Sequence, residues 1–491
     1  MNSIKTKAFK SALWKFMERI LAQGISLIVS VIIARILDPS DYTVVGVVTI
    51  FFSFANIIIS GGLNTALIQK KDVDSDDYSS VLIFSTILSF IIYIILFIFA
   101  PLISDIYHQP LLIPVIRVMC IILPISAIKS IWCAYISSNL EFKKFFFATL
   151  GGTLFSAIVG ISMALKGFGA WALVAQQMSN TIIDTIILIL TTRIGIKLRF
   201  SIIKFRKLFS YSWKVLASSI LGTVYTELTP LIIGIKYSGT DLSYYTKGRS
   251  FPYLISNTTT NTLSAVLFPV LSKYQDNKEK LLKYTRIYIR LASFISFPIM
   301  LGFFVVSDNF VSVILTDKWL PAAPYIRIFC IASMFDMIHI GNCETIKAMG
   351  RSDIYLLMEI IKKIMYFLTI ALFVIFSKSA EWMAFSFIIC TFIAIVVNSI
   401  PNRRLIGYRY IDQISDIIPN LIISILMCIP TTIVGKTIGN GLLILVTQIF
   451  TGLFIYICLA ILTKNVAFIY LFDLIKHTNL QNNSSGGVNG Q

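Results

Sequence analysis

The chain has 491 residues, 56% of them hydrophobic and only 13% charged. An ordinary soluble domain is about 25% charged, so a soluble globular protein is excluded. The formal net charge of +18 would suggest a nucleic-acid partner in a soluble chain, but the placement of the charges rules that partner out.

In chain order, Ile, Leu and Phe fill run after run of about 20 residues, the length that crosses the hydrocarbon core of a bilayer. Backbone polar groups in lipid must be satisfied internally, which leaves helices or closed barrels. The runs do not alternate polar and apolar residues, so the fold class is all-α. The basic stretch Met1 to Lys10 leads directly into a full-length span with no A-x-A-like cleavage site. It is read as a retained first helix, not a cleaved signal. The sequence predicts fourteen spans: 13–36, 42–62, 79–100, 112–136, 146–165, 170–192, 211–236, 247–270, 287–306, 321–346, 354–376, 382–401, 417–434 and 442–463. Pro124, Pro230, Pro252 and Pro298 fall inside spans, where neighbouring helices re-satisfy the freed carbonyls. The polar tail Gln481 to Gln491 is expected to be disordered. All seven cysteines lie in apolar runs without a C-x-x-C and are read as small buried apolar residues, not metal ligands or disulfides.

The positive-inside rule orients these spans. With the N-terminus in the cytoplasm, the inner segments hold 25 Lys and Arg and the outer loops hold 4 (Lys166, Lys318, Lys378 and Lys436). A missed or invented helix would swap sides downstream and destroy that asymmetry. An even number of spans with both termini cytoplasmic follows, with no extramembrane domain on either side.

Helices 4 and 10 repeat at an offset of 210 residues: Pro114 matches Pro324, Arg117 matches Arg327, Cys120 matches Cys330 and Cys133 matches Cys343. Helices 1 and 7 share a Trp-Lys start at Trp14-Lys15 and Trp213-Lys214. Six helices separate the copies, so the repeats are parallel and related by an axis along the membrane normal. Transporters built from such repeats bind substrate at the repeat interface. The expected organisation is an N-lobe of helices 1–6 (1–192), a basic cytoplasmic linker (193–210) and a C-lobe of helices 7–12 (211–401). Helices 13–14 (402–463) and a cytoplasmic tail (464–491) follow.

Thirteen Lys and Arg fall inside spans against six acids, an interior excess of +7. A charge at the bilayer centre costs at least about 2.5–3.5 kcal/mol, so it faces a partner or a water-filled cavity. Arg35, Lys214, Lys236, Lys247, Arg290, Lys362 and Lys363 lie near span ends and can snorkel. Glu359 can pair with Lys362 or Lys363 at helical spacing. The excess as a whole implies an anionic ligand, and guanidinium groups suit phosphate. Lys15, Arg19, Arg117, Lys129, Arg249 and Arg327 are the candidates for contact with it. Lys129 is the deepest, and its repeat partner is His339. Asp184, Glu227, Asp336, His339 and Glu344 are candidates for coupling to H+ or Na+. There is no G-x-x-x-x-G-K-[ST], no H-E-x-x-H and only three His, so no enzyme, cofactor or metal site is expected.

Six segments carry a resemblance. They are ARILDPSDY from Ala34 to Tyr42, TALIQKK from Thr65 to Lys71, and GFGAWALVAQQ from Gly167 to Gln177. Further on come LFPVLS from Leu267 to Ser272, KWLPAAP from Lys318 to Pro324, and KAMGRSD from Lys347 to Asp353. The chain resembles the Wzx-type O-antigen and capsule flippases, the polysaccharide branch of the multidrug/oligosaccharidyl-lipid/polysaccharide exporter superfamily. Thr43 stands where that family usually has Gly. The stretch Thr226 to Pro230 departs from the family's Asn or Asp, and Pro230 is expected to kink helix 7. The resemblance implies two six-helix lobes around a central cavity that work by alternating access in the bacterial inner membrane. The implied substrate is an undecaprenyl-pyrophosphate-linked oligosaccharide for O-antigen, capsule or exopolysaccharide. A polysaccharide polymerase and a chain-length regulator are the implied partners beside membrane lipids. A multidrug extruder of the same superfamily, which would favour an acidic cavity, and a membrane-embedded polymerase or glycosyltransferase are the alternatives.

Overall fold

The computed structural model describes residues 2–60, 62–70, 72–139, 141–192, 194–195, 199–437 and 441–472. The helices are α1 (Asn2–Ile36), α2 (Pro39–Ser60), α3 (Leu63–Gln69), α4 (Ser75–Tyr107), α5 (Leu112–Met119), α6 (Ile122–Asn139), α7 (Phe142–Leu165) and α8 (Ala170–Thr191). They continue as α9 (Ile202–Lys236), α10 (Gly239–Lys273), α11 (Lys278–Phe310), α12 (Ala323–Ser333), α13 (Asp336–Ala348), α14 (Ser352–Phe376), α15 (Ala380–Leu405), α16 (Tyr410–Thr437) and α17 (Leu442–Leu462). No strand occurs among the described residues.

Among the described residues, twelve helical segments are long and apolar enough to cross a membrane. Two further helices, α10 and α14, occupy the remaining places where the sequence predicts spans. They are 35 and 25 residues long but carry more polar and charged side chains. Predicted spans 4 and 10 are each two helices joined by a break, α5–α6 at Cys120 and Ile121 and α12–α13 at Met334 and Phe335. Pro230 does not interrupt α9, which runs through it from Ile202 to Lys236. The predicted disordered tail, Gln481 to Gln491, lies outside the described residues.

The chain divides into two compact units, Met1–Ser243 and Tyr244–Gln491. In the first, α7 packs along α1 and α8, α6 packs against α4 and α8, and α9 lies against α2, α3 and α4. Two glycines set the close approach of α7 to α8. A Cβ at Gly152 would sit 3.0 Å from the Asn180 carbonyl and from Asp184 Cβ, and one at Gly160 would sit 3.0 Å from the Gln176 side chain. The turn between these helices is made by Gly167 and Gly169, whose φ values of 78° and 55° belong to a region that other residues avoid. In the second unit, α11 is central and packs against α12, α13, α16 and α17, while α15 packs on α12, α13 and α14.

Helix starts outside the membrane are set by side-chain caps. Asp74 and Asp77 form a reciprocal capping box at α4. Ser201 caps α9 and Asn277 caps α11. The basic linker is held to the start of α4: Lys204 Nζ donates to Asp74 at 2.5 Å and Asp76 at 2.8 Å, and Ser75 Oγ donates to the Gly195 carbonyl at 2.6 Å. The hydrogen bond from Lys204 holds the Asp74 carboxyl down to about 2, and the same bond raises the Lys204 ammonium.

Candidate functional site

The charges inside the spans are matched more closely than composition suggests. Lys129 on α6 forms an ion pair with Asp184 on α8, whose residue is 3% exposed. These two candidates are brought together. The half-buried Lys129 ammonium removes the penalty of leaving the buried carboxylate alone in low dielectric. The repeat partner of Lys129, His339 on α13, accepts a hydrogen bond at 2.6 Å from the Asn398 amide on α15. The repeat positions therefore both face a polar group two helices on, Asp184 of α8 and Asn398 of α15, and α13 meets α15 again through Asn342, which bonds Ser399 and Asn402.

The second repeated pair of cations behaves in parallel. Arg117 lies over the Phe97 ring of α4 at 4.4 Å. Arg327 donates to Ser307 of α11 at 2.9 Å and forms an ion pair with Asp308. Ser307 stands 210 residues after Phe97, so both arginines reach the same place on the preceding helix. Arg249 lies over Tyr253 and Phe387 at 5.5 and 5.2 Å. Arg19 is exposed on α1, and the Lys15 side chain lies outside the described residues.

Of the other coupling candidates, Asp336 accepts a hydrogen bond from Ser256 at 2.7 Å, and Glu344 pairs with Lys347 at 3.1 Å. Glu227 is half-buried on α9. Glu359 pairs with Lys362 at 2.5 Å, at the expected helical spacing.

Asp308 and Asp416 fall outside the predicted spans, yet both lie within helices and hold cations from those spans. Asp416 on α16 is the more elaborate case. It accepts from Arg286 at 2.8 Å through each oxygen, from Arg290 at 2.8 Å and from the Tyr408 hydroxyl at 2.8 Å. One helical turn on, Asn420 donates to the Arg290 carbonyl at 2.9 Å and to Ser293 at 2.7 Å. It also accepts from Asn465 at 2.8 Å. The interior excess of positive charge is smaller than the spans alone indicate.

α8 also carries uncharged polar groups. Gln176, Gln177, Asn180, Thr181 and Asp184 recur at helical spacing, forming a polar stripe on a mainly apolar helix. The first four line a cavity of about 270 Å³ with Ser26 and Val29 of α1 and Thr153 and Ser156 of α7. The period was readable in the sequence, but the residues are uncharged.

Long apolar helices with matched polar groups at mid-span define a polytopic helical membrane protein. The chain belongs to the polysaccharide biosynthesis protein family, which it matches over residues 32–324. It is 21% identical over 371 residues to the lipopolysaccharide biosynthesis protein WzxC of Escherichia coli (strain K12), covering 74% of each chain. It is 20% identical over 482 residues to the succinoglycan biosynthesis transport protein ExoT of Rhizobium meliloti (strain 1021), covering 94% of each. Its fold is similar to that of the lipid II flippase MurJ in an inward closed conformation, with TM-score 0.74 and 14% identity over 95% of this chain and 100% of that one.

Proposed function

We propose that this protein is a flippase that carries polyprenyl (undecaprenyl) pyrophosphate-linked oligosaccharide repeat units across the bacterial plasma membrane for surface polysaccharide. The observation that carries this reading is the family match to polysaccharide biosynthesis proteins in a chain whose fold resembles a lipid II flippase. The named relatives WzxC and ExoT point to the same class of cargo. The reaction is transport, so the chain acts as a carrier and not as an enzyme.

In this reading two six-helix lobes, 1–192 and 211–401, give alternating access, with 402–463 appended and both termini cytoplasmic. Lys15, Arg19, Arg117, Lys129, Arg249 and Arg327 supply the cationic groups for the pyrophosphate. The pairing of Lys129 with Asp184 and of Arg327 with Asp308 gives these two cations a second role, since a phosphate must compete with a carboxylate already in place. Such competition is a means of coupling. Asp184, released by Lys129, can take up H+ or Na+, and Glu227, Asp336, His339 and Glu344 are further sites for the coupling ion. A polysaccharide polymerase and a chain-length regulator are the partners that receive the product.

Deleting the gene in its own host and analysing lipid-linked glycans and surface polysaccharide tests this function. The expected result is loss of surface polysaccharide, with complete undecaprenyl-linked units accumulating on the cytoplasmic side. Normal glycans with new sensitivity to cationic drugs would assign the chain to drug extrusion instead.

A further inference from the structure

The cavity between α1, α7 and α8 has an unusual lining for the interior of a membrane protein. Seven of its eight lining side chains are polar and none carries a formal charge. It sits at mid-length of α7, which runs from Phe142 to Leu165, and of α8, which runs from Ala170 to Thr191. Uncompensated polar groups at that depth cost free energy and mark sites of function.

The hydrogen-bond inventory of this lining is partly spent and partly open. Ser156 Oγ donates to the Thr153 carbonyl at 3.0 Å, the Asn180 amide donates to Ser156 Oγ at 3.2 Å, and Thr181 Oγ1 donates to the Gln177 carbonyl at 3.1 Å. The Gln176 and Gln177 carboxamides take no partner among the described residues. Each offers two N–H donors and a carbonyl acceptor. A ligand that satisfies them must both donate and accept, many times, without charge. Gly160 is what lets the Gln176 side chain lie this close to α7.

We propose that this cavity binds one neutral sugar residue of the translocated glycan. The inference rests on the flippase reading above and assigns the sugar-recognition subsite within it. Amides and hydroxyls match the alternating donors and acceptors of a pyranose ring. A volume of about 270 Å³, just below the roughly 300–1,000 Å³ of pockets for drug-sized ligands, suits a single ring rather than a whole repeat unit. A bare cation is the poorer occupant. Hard cations gather carboxylates and carbonyls, no carboxylate lines the cavity, and Asp184, one turn along α8, is paired with Lys129 through one oxygen. Val29 gives the single apolar wall. The division of labour follows: cations elsewhere meet the pyrophosphate, and this cavity reads the sugar.

The test uses the full chain in lipid nanodiscs and saturation-transfer difference NMR with methyl glycosides of neutral hexoses, N-acetylhexosamines and a 6-deoxyhexose. Wild type is expected to show transfer to at least one of them. The near-isosteric Q176M/N180L variant is expected to weaken that binding about tenfold, the cost of removing a desolvated hydrogen-bond partner. Its melting midpoint shows whether it folds, and Q177M is the second variant if it does not. Equal transfer to wild type and a folded variant, or no transfer to any neutral glycoside, overturns the proposal. So does thermal stabilisation by Na+ that the variants lose without any glycoside effect. Restoration of surface polysaccharide by the wild-type gene in the deletion host is scored separately. Failure there removes the flippase reading and leaves the glycoside result standing as a property of the cavity.

Discussion

The ammonium of Lys129 on α6 rests on the carboxylate of Asp184 on α8, one helical turn from the polar cavity. Breaking a largely buried pair by removing one partner costs about 3–5 kcal/mol, whereas replacing both partners with apolar residues of similar volume is often neutral. K129M and D184L alone are therefore expected to lower the melting midpoint in detergent, and K129M/D184L to recover most of the loss. The same three variants tested for surface polysaccharide separate structure from transport. If the pair only holds α6 to α8, the double variant exports; if it couples transport, the double variant folds and does not export.

A second prediction concerns Asp416, which accepts hydrogen bonds from Arg286, Arg290 and Tyr408 at once. Asp416→Leu leaves two guanidinium groups and a hydroxyl without their acceptor and is expected to destabilise the protein, by less than the roughly 3–5 kcal/mol of a fully buried pair because the two arginines are about a third exposed. Asp416→Asn, which keeps one acceptor oxygen, is expected to lose less. Unfolding midpoints measured by intrinsic fluorescence distinguish the two.

The Asp74–Lys204 contact gives a pH prediction. The folded chain holds the Asp74 carboxyl at about 2 against an ordinary 3.8. The folded form therefore binds that proton less readily than the unfolded one, and the contact's contribution is complete above about pH 4 and lost as pH falls through about 2. Pepsin, which is active across this range, is expected to cut the linker near Phe200 and Phe205 faster as pH drops from 4 to 2. Asp74→Asn is expected to remove most of that pH dependence.

Gly152 supplies a packing prediction. Its Cβ position lies 3.0 Å from two atoms of α8, so Gly152→Val forces α7 and α8 apart. The expected cost is about 1–3 kcal/mol, typical of overpacking, read as a lower melting midpoint. Gly24→Ala, where a Cβ meets nothing within 4 Å, is expected to be near neutral.

Much of the fold was legible in the sequence because lipid imposes length and apolarity on each span. The twelve apolar segments and the two more polar helices all fall at predicted positions. Helix ends were less legible. Hydropathy falls where the bilayer ends, but α11 begins at Lys278 on the Asn277 cap and runs to Phe310, well past the predicted 287–306. Asp308 and Asp416 fall outside the predicted spans for this reason, and with them the partners of Arg327 and Arg290. Lys129 stood out by depth, and the offset of 210 named His339 as its counterpart. Asp184 and Asn398 as their partners depend on which helices touch, which no local pattern encodes. The polar face of α8 was readable by its period, but a search for charge passes over amides and hydroxyls.

The knot of Arg286, Arg290, Asp416 and Asn420 has a mechanical consequence. It lashes α16 to α11 from one side, while Tyr456 of α17 reaches the Phe294 carbonyl at 2.7 Å. α16 and α17 are thereby riders on α11. Any displacement of α11 during a transport cycle carries them along at fixed separation, so a probe attached to α17 follows α11 while standing on a helix that faces lipid.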